Sequence, residues 1–188
     1  MKKDEAMVTQ LTEVFSQQAI QACLESESQA NFYICDSPHD DVNEKTFIAI
    51  TGNEQGFKIS NPNQKTIYHL PLDHCFCDHL ATYQGQRCDC IIFDDTYFCF
   101  AELKLNVTSH RKATDESAEA REQLGAVIEY FKNSFQAVTK DFLDYNLEAY
   151  IVMQRKIYPK QRARLDLIRG RFLERYGVEL YEKNEKEF

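Results

Sequence analysis

Asp89, Glu102 and Lys104 are the residues whose types and spacing best suit chemistry. Side chains alternate along a β-strand, so in Glu102-Leu103-Lys104 the carboxylate and the ammonium share one face while Leu103 takes the other. Residues 87–94 (RCDCIIFD) and 96–105 (TYFCFAELKL) are rich in β-formers, and Asp94-Asp95 between them is a turn signal. The antiparallel hairpin this predicts carries Asp89 towards Glu102 and gathers two carboxylates and one ammonium at one spot. Hydrolysing a phosphodiester requires neutralised non-bridging oxygens, a deprotonated in-line water and a stabilised leaving oxygen. Two carboxylates offer the oxygen ligands that Mg2+ or Mn2+ prefers, the ion lowers the pKa of its water, and the ammonium positions the nucleophile or stabilises the transition state. Without the ion the carboxylates repel each other. Glu-x-Lys by itself is more often a solvated ion pair on a strand face, and the preceding Asp is what lifts it above that.

Two other groupings invite chemistry. His74, Cys75, Cys77, His79, Cys88 and Cys90 supply more soft ligands than one zinc ion needs. Their spacing is Cys-x-Cys twice, whereas structural zinc sites use two or more intervening residues to bend the chain around the ion, so buried free thiols are the preferred reading. Cys88 and Cys90 are expected on the strand face opposite Asp89. Asp73 and Asp78 are ligands or turn formers. Seven cysteines is an odd number, and residues 1–10 lack the apolar core of a secretion signal, so reduced thiols are expected and disulfide scaffolding is not.

The second grouping is basic. The net charge is −8, which argues against a protein that coats nucleic acid indiscriminately, yet residues 154–188 carry 10 basic groups against 6 acidic ones. Within 154–176 lie Arg155, Lys156, Lys160, Arg162, Arg164, Arg169, Arg171 and Arg175. Such a face is either plain solubility or a phosphate-binding surface, and a polyanion would dock there, with Arg162, Arg164, Arg169 and Arg171 as its contacts.

Positioning these groups falls to a predictable set of elements. Apolar residues at 7, 11, 14, 15, 19, 22 and 23 predict one amphipathic helix over 7–23. Short strands are expected at 31–34, 46–50 and 56–60, separated by turn-rich SPHDD and TGNEQG. After the hairpin, the stripe at 120, 124, 127, 128 and 131 predicts a core-facing helix over 117–131, continued through 135–143. Residues 147–154 read as a strand buried on both faces. A helix starting at Pro159 carries the stripe Leu165, Ile168, Phe172, Tyr176, with Gly177 as its C-cap and a last strand at 178–181. Together these predict an α/β protein, a mixed sheet flanked by helices, in one domain over 1–188 whose core spans 71–188.

At Asp89 and Glu102-Leu103-Lys104 the sequence resembles the PD-(D/E)XK nuclease superfamily, whose signature is an Asp on one strand and Glu-x-Lys on the next. The resemblance takes in Arg87-Cys88-Asp89, Gln123 in the following helix, and the later strand, helix and strand order, or about the last 120 residues. Cys88 stands where the signature has Pro. The resemblance implies a restriction-endonuclease-like core, metal held by Asp89 and Glu102, catalysis by Asp89, Glu102 and Lys104 with support from Gln123, Mg2+ or Mn2+ as cofactor, and a homodimer as one workable assembly. Glu13, Glu25 or Glu27 would supply a further acidic ligand where the family uses one. The expected partner is nucleic acid, DNA ahead of RNA. Its rival is an inactive binding module on the same fold within a nucleic-acid-processing or defence complex. The chain has no apolar run of membrane-spanning length, and a cytoplasmic location is expected.

Overall fold

The computed structural model describes residues 3–37, 45–50, 56–80, 83–138, 145–154 and 162–188, with 3–6 and 162–164 described by their backbone. The architecture is mixed α/β, with two mixed sheets and four α-helices among the described residues. The larger sheet runs in the order β1 (Glu25–Glu27), β5 (Ile67–Pro71), β6 (Cys90–Phe93), β7 (Tyr97–Lys104), β8 (Asn146–Met153), β9 (Glu179–Glu182). Its first four strands are antiparallel neighbours, while β8 runs parallel to both β7 and β9. The smaller sheet has the order β10 (Glu185–Glu187), β4 (Phe57–Ser60), β2 (Asn31–Cys35), β3 (Phe47–Ala49).

Strand alternation sorts the core into two layers. Ile91, Phe93, Phe98, Phe100, Ala149, Ile151 and Leu180 point to the helical side, where α1 (Lys3–Val14), α2 (Gln17–Cys23), α3 (His110–Ala137) and α4 (Arg162–Tyr176) contribute to the packing. Cys90, Ile92, Cys99, Ala101, Leu103, Tyr150 and Val152 point to the other side and meet Phe32, Ile34, Phe57 and Ile59 of the smaller sheet. The hairpin between β6 and β7 turns on Asp94, whose Oδ1 accepts from Thr96 N at 2.8 Å and Tyr97 N at 2.7 Å while Oδ2 pairs with Lys65 at 2.9 Å. As expected, β8 is buried on both faces, from Leu147 through Met153. Lys186 on β10 and Glu148 on β8, both buried, close at 2.8 Å and join the two sheets.

Several expectations need correction. Of the apolar stripe over 7–23, Met7, Leu11, Ala19 and Cys23 are buried, Val14 and Phe15 are half-buried and Ala22 is exposed, with Ile20 buried in its stead. The stripe lies on two helices, because Ser16 caps α2 by accepting from Ala19 N at 3.4 Å and its extended backbone breaks the rod. Phe15 at the break packs its ring on Phe76, Phe131 and Tyr130. The helix expected over 117–131 starts at His110, because Ser109 caps it by accepting from Lys112 N at 3.3 Å, and it runs to Ala137. Positions 139–143 of its expected continuation, Pro159, and Arg155, Lys156 and Lys160 lie outside the described residues. Gly177 ends α4 as predicted, with φ +61° and its N–H donating to Leu173 O at 2.7 Å. Disulfide pairing was not expected, yet Cys23 and Cys75 are joined. Cys88 does not share a face with Cys90: β6 begins only at Cys90, and Cys88, ahead of the regular pleat, packs with the helix-side cluster.

Phe131 of α3 sits at the centre of the helical layer, with ring contacts to Phe15, Phe76, Phe98 and Phe100. Phe131→Ala should lower the unfolding free energy by about 3–5 kcal/mol in chemical denaturation, as an uncollapsed aromatic cavity does. Leu173→Ala, on the exposed side of α4, should change it by less than about 0.5 kcal/mol.

Candidate active site

The β6–β7 ladder exchanges backbone bonds as far as the Cys90–Ala101 pair and then changes character. Beyond it, Asp89 N donates to Glu102 Oε2 at 3.2 Å, and Leu103 N donates to Asp89 Oδ2 at 2.5 Å. Each carboxylate thus occupies the place of a ladder carbonyl on the opposite strand, which fixes both side chains against adjacent strands. Lys104 Nζ completes the group at 3.1 Å from Glu102 Oε1. The hairpin therefore brings Asp89, Glu102 and Lys104 together, as the sequence predicts.

Around this trio the charge is lopsided. Lys104 also faces Glu116 at 3.8 Å and Glu119 at 3.7 Å, on the second and third turns of α3. Burial pushes the Asp89 carboxyl up to about 7, with Asp36 and Asp73 adding to the rise and the Leu103 N–H and Lys104 opposing it. Glu102, whose side chain is 3% exposed, is raised well above the ordinary carboxylate range by burial first and by Asp89 second. Burial works to lower Lys104, but Glu102, Glu119 and Asp89 outweigh it and hold the ammonium charged. One cation thus serves several acids, and among the described residues half-buried Asp89 and buried Glu102 share Lys104 with Glu116 and Glu119.

Gln123 lies one helical turn beyond Glu119 on α3, and its Oε1 is buried with no hydrogen-bond partner. Arg87, next in sequence to Cys88, holds Asp73 at 3.2 Å and Asp78 at 2.6 Å, so these two aspartates anchor the loop before the site. Leu72 N ties the same loop to Asp89 O at 2.8 Å. Of the early acids, Glu25 pairs with Lys45 at 3.4 Å and with buried His69 at 3.4 Å on the far edge of the sheet. His69 in turn meets Thr46 Oγ1 at 3.0 Å.

The basic helix resolves into separate jobs. Arg169 turns towards buried Glu182 at 3.7 Å, and Arg121 of α3 reaches the same carboxylate at 3.9 Å. Glu182 is raised by burial, which Arg169 and Arg121 partly offset. Glu182 aligns across the sheet with Ile151 and Glu102, placing this second charged group in line with the first. Arg171 instead lines a pocket of about 290 Å3 between α3 and α4, with Arg121, Arg175, Phe172 and Tyr176. The side chains of Arg162 and Arg164 lie outside the described residues. Arg121, Glu116, Glu119 and Glu182 were not among the site residues expected from sequence. Glu116 and Glu119 carry the one usable signal, an i, i+3 acidic pair on the helix that follows Glu-x-Lys.

Comparison with known families, curated proteins and solved structures finds no match to this chain. No described helix is long and apolar enough to cross a membrane.

The raised Asp89 has a thermodynamic signature. An acid whose folded pKa, about 7, exceeds its ordinary value of 3.8 contributes stability below the lower figure that is lost as pH rises through the upper one. Asp89→Asn keeps an oxygen to accept from Leu103 N and carries no charge. In chelator-treated protein it should therefore be more stable than wild type at pH 8, by about 1–2 kcal/mol, with the gain vanishing towards pH 4. Thermal melts across that range test it, and a pH-independent difference would contradict the raised pKa.

Proposed function

We propose that this chain is a metal-dependent nuclease of the PD-(D/E)XK type that hydrolyses phosphodiester bonds in nucleic acid, DNA ahead of RNA. The observation that carries the reading is a pair of carboxylates, half-buried Asp89 just ahead of β6 and buried Glu102 on β7, locked by backbone hydrogen bonds beside one charged lysine. The donor set suits a hard divalent cation: it is all oxygen, it is fixed by backbone hydrogen bonds, and burial raises the pKa of both carboxyl groups, a cost that a bound cation would offset. Asp89 and Glu102 would hold Mg2+ or Mn2+. When bound, such an ion supplies a water of lowered pKa and neutralises charge on the scissile phosphate.

The remaining work belongs to the chain itself. Lys104 stays protonated and presents N–H donors to a non-bridging phosphate oxygen, whose charge grows in the transition state. Glu116 and Glu119 keep its ammonium oriented. Gln123 offers an unpaired amide oxygen that can hold the attacking water in line. Arg171 and Arg175 offer guanidinium groups to flanking phosphates in the groove between α3 and α4. Arg169, committed to Glu182, supports the groove from behind.

A second reading, an inactive binding module with the same core, is favoured by one observation: an oxygen of each carboxylate already accepts a backbone N–H and Glu102 already holds Lys104, so the cluster is partly self-satisfied. Catalysis and docking separate the two readings. Lys104→Ala should cut turnover on DNA with Mg2+ or Mn2+ by roughly 100-fold or more while leaving binding intact. Replacing Arg171 and Arg175 together with Gln should weaken binding and flatten its log–log salt dependence by about two units. A wild type that neither binds nor cuts DNA or RNA with either ion refutes the nuclease and leaves the module.

A further inference from the structure

The structure assigns a second, chemically different metal site to Cys23, Cys75 and His79: a redox-gated zinc site, closed when the Cys23–Cys75 disulfide is formed and open to the ion when it is reduced. Cys23 is the last residue of α2, Cys75 immediately precedes the 3-10 helix Phe76–His79, and His79 ends that helix. Their ligand atoms all lie within 4.8 Å of one another. Zinc takes thiolate at about 2.3 Å and imidazole at about 2.0–2.1 Å, so the ligand atoms of a tetrahedral site stand about 3.5–3.8 Å apart. Breaking the sulfur–sulfur bond and rotating the two cysteine side chains covers the difference, because the Cα atoms, 5.9 Å apart, already stand at a spacing that a shared ion can bridge.

Cys23 is buried in the helix-side cluster, as are Cys77 and Cys88, and Cys90 lies in the opposite layer, so proximity rather than burial singles out the trio. Among the described residues only Cys23, Cys75 and His79 bring three such ligand atoms within 4.8 Å of one another. His74 is held by Asp73 at 3.3 Å. His79 is exposed, and its ring has no hydrogen-bond partner among the described residues. Three protein ligands with one exposed leave a fourth position to solvent, the arrangement of an exchangeable site rather than a closed structural one. The backbone at His74, with φ +53°, turns the chain sharply just before Cys75.

The chemistry balances with a dithiol as reductant. Two electrons and two protons pass from the dithiol to the bridge, the Cys23–Cys75 bond breaks to two thiols, and the reductant leaves as a disulfide. Zinc binding then displaces one proton from each thiol. Exchange with an oxidised dithiol takes two electrons back, re-forms the bridge and expels the ion.

Cobalt(II), a spectroscopic stand-in for zinc, tests this on the whole chain. After dithiol reduction and removal of excess reductant, the protein should bind one Co2+ with intense thiolate-to-metal charge transfer and visible bands of tetrahedral strength, and zinc should displace it. The air-oxidised protein should show neither. Cys23→Ser should abolish the charge transfer, and His79→Gln should weaken affinity at least tenfold while the disulfide still forms by thiol counting. Asp89→Asn should leave the spectrum unchanged, which keeps this site distinct from the proposed nuclease centre. Reduced wild type without a thiolate–cobalt band, or a band that survives Cys23→Ser, overturns the assignment.

Discussion

The carboxylates of Asp89 and Glu102 take over from backbone carbonyls where the β6–β7 ladder ends, and the rest of the candidate site is organised around that substitution. A carboxylate that accepts an N–H across a strand pair has little freedom to swing away, so the chemical groups inherit the precision of the sheet. Holding half-buried Asp89 beside buried Glu102 is unfavourable, since burial and mutual repulsion both favour the neutral carboxyl. The fold offsets that cost elsewhere: large apolar layers on both faces of β6 and β7 anchor the strands. Destabilised charge at one point of an otherwise well-packed sheet is what singles this cluster out as the candidate site.

The same logic recurs two strands away. Glu182 is buried in line with Glu102, and two arginines from different helices face it at 3.7 and 3.9 Å, so burial still raises its pKa while the arginines partly offset the rise. Arg121 and Arg169 therefore act first as bolts between α3, α4 and β9. Arg171 and Arg175 remain on the groove side, and Tyr176 at the end of α4 packs so closely on Gly125 of α3 that a side chain there would collide with its ring. The close approach of the two helices sets the width of that groove.

Much of the site was legible because it obeys local rules. Alternation placed Glu102 and Lys104 together, and Asp94-Asp95 announced the hairpin that delivers Asp89. The edge strands were not legible: β1 is Glu-Ser-Glu and β10 is Glu-Lys-Glu, sequences with no β-propensity of their own that become strands by pairing with β5 and β4. The helix break at Ser16 hid beneath an apolar stripe that continues in space after the rod has ended. The Cys23–Cys75 pair was invisible for a different reason, since its members are 52 residues apart and belong to elements whose docking no local pattern encodes. Composition alone could not sort the basic stretch, because charge counted along a chain does not say that Arg169 turns to a buried glutamate while Arg171 and Arg175 line a groove.

The link between β10 and β4 carries a kinetic consequence. Lys58 meets Glu185 across 127 residues of sequence, and Lys186 reaches from the same strand to Glu148 in the larger sheet. During synthesis, residues 31–60 emerge long before the strand that completes their sheet, so β4 must wait with one edge unpaired while the helices and β8 are made. Late closure of so large a loop slows folding and leaves an adhesive strand exposed to neighbouring nascent chains. Yield on expression should therefore respond to growth temperature and chaperone supply more steeply than the finished protein's stability would indicate.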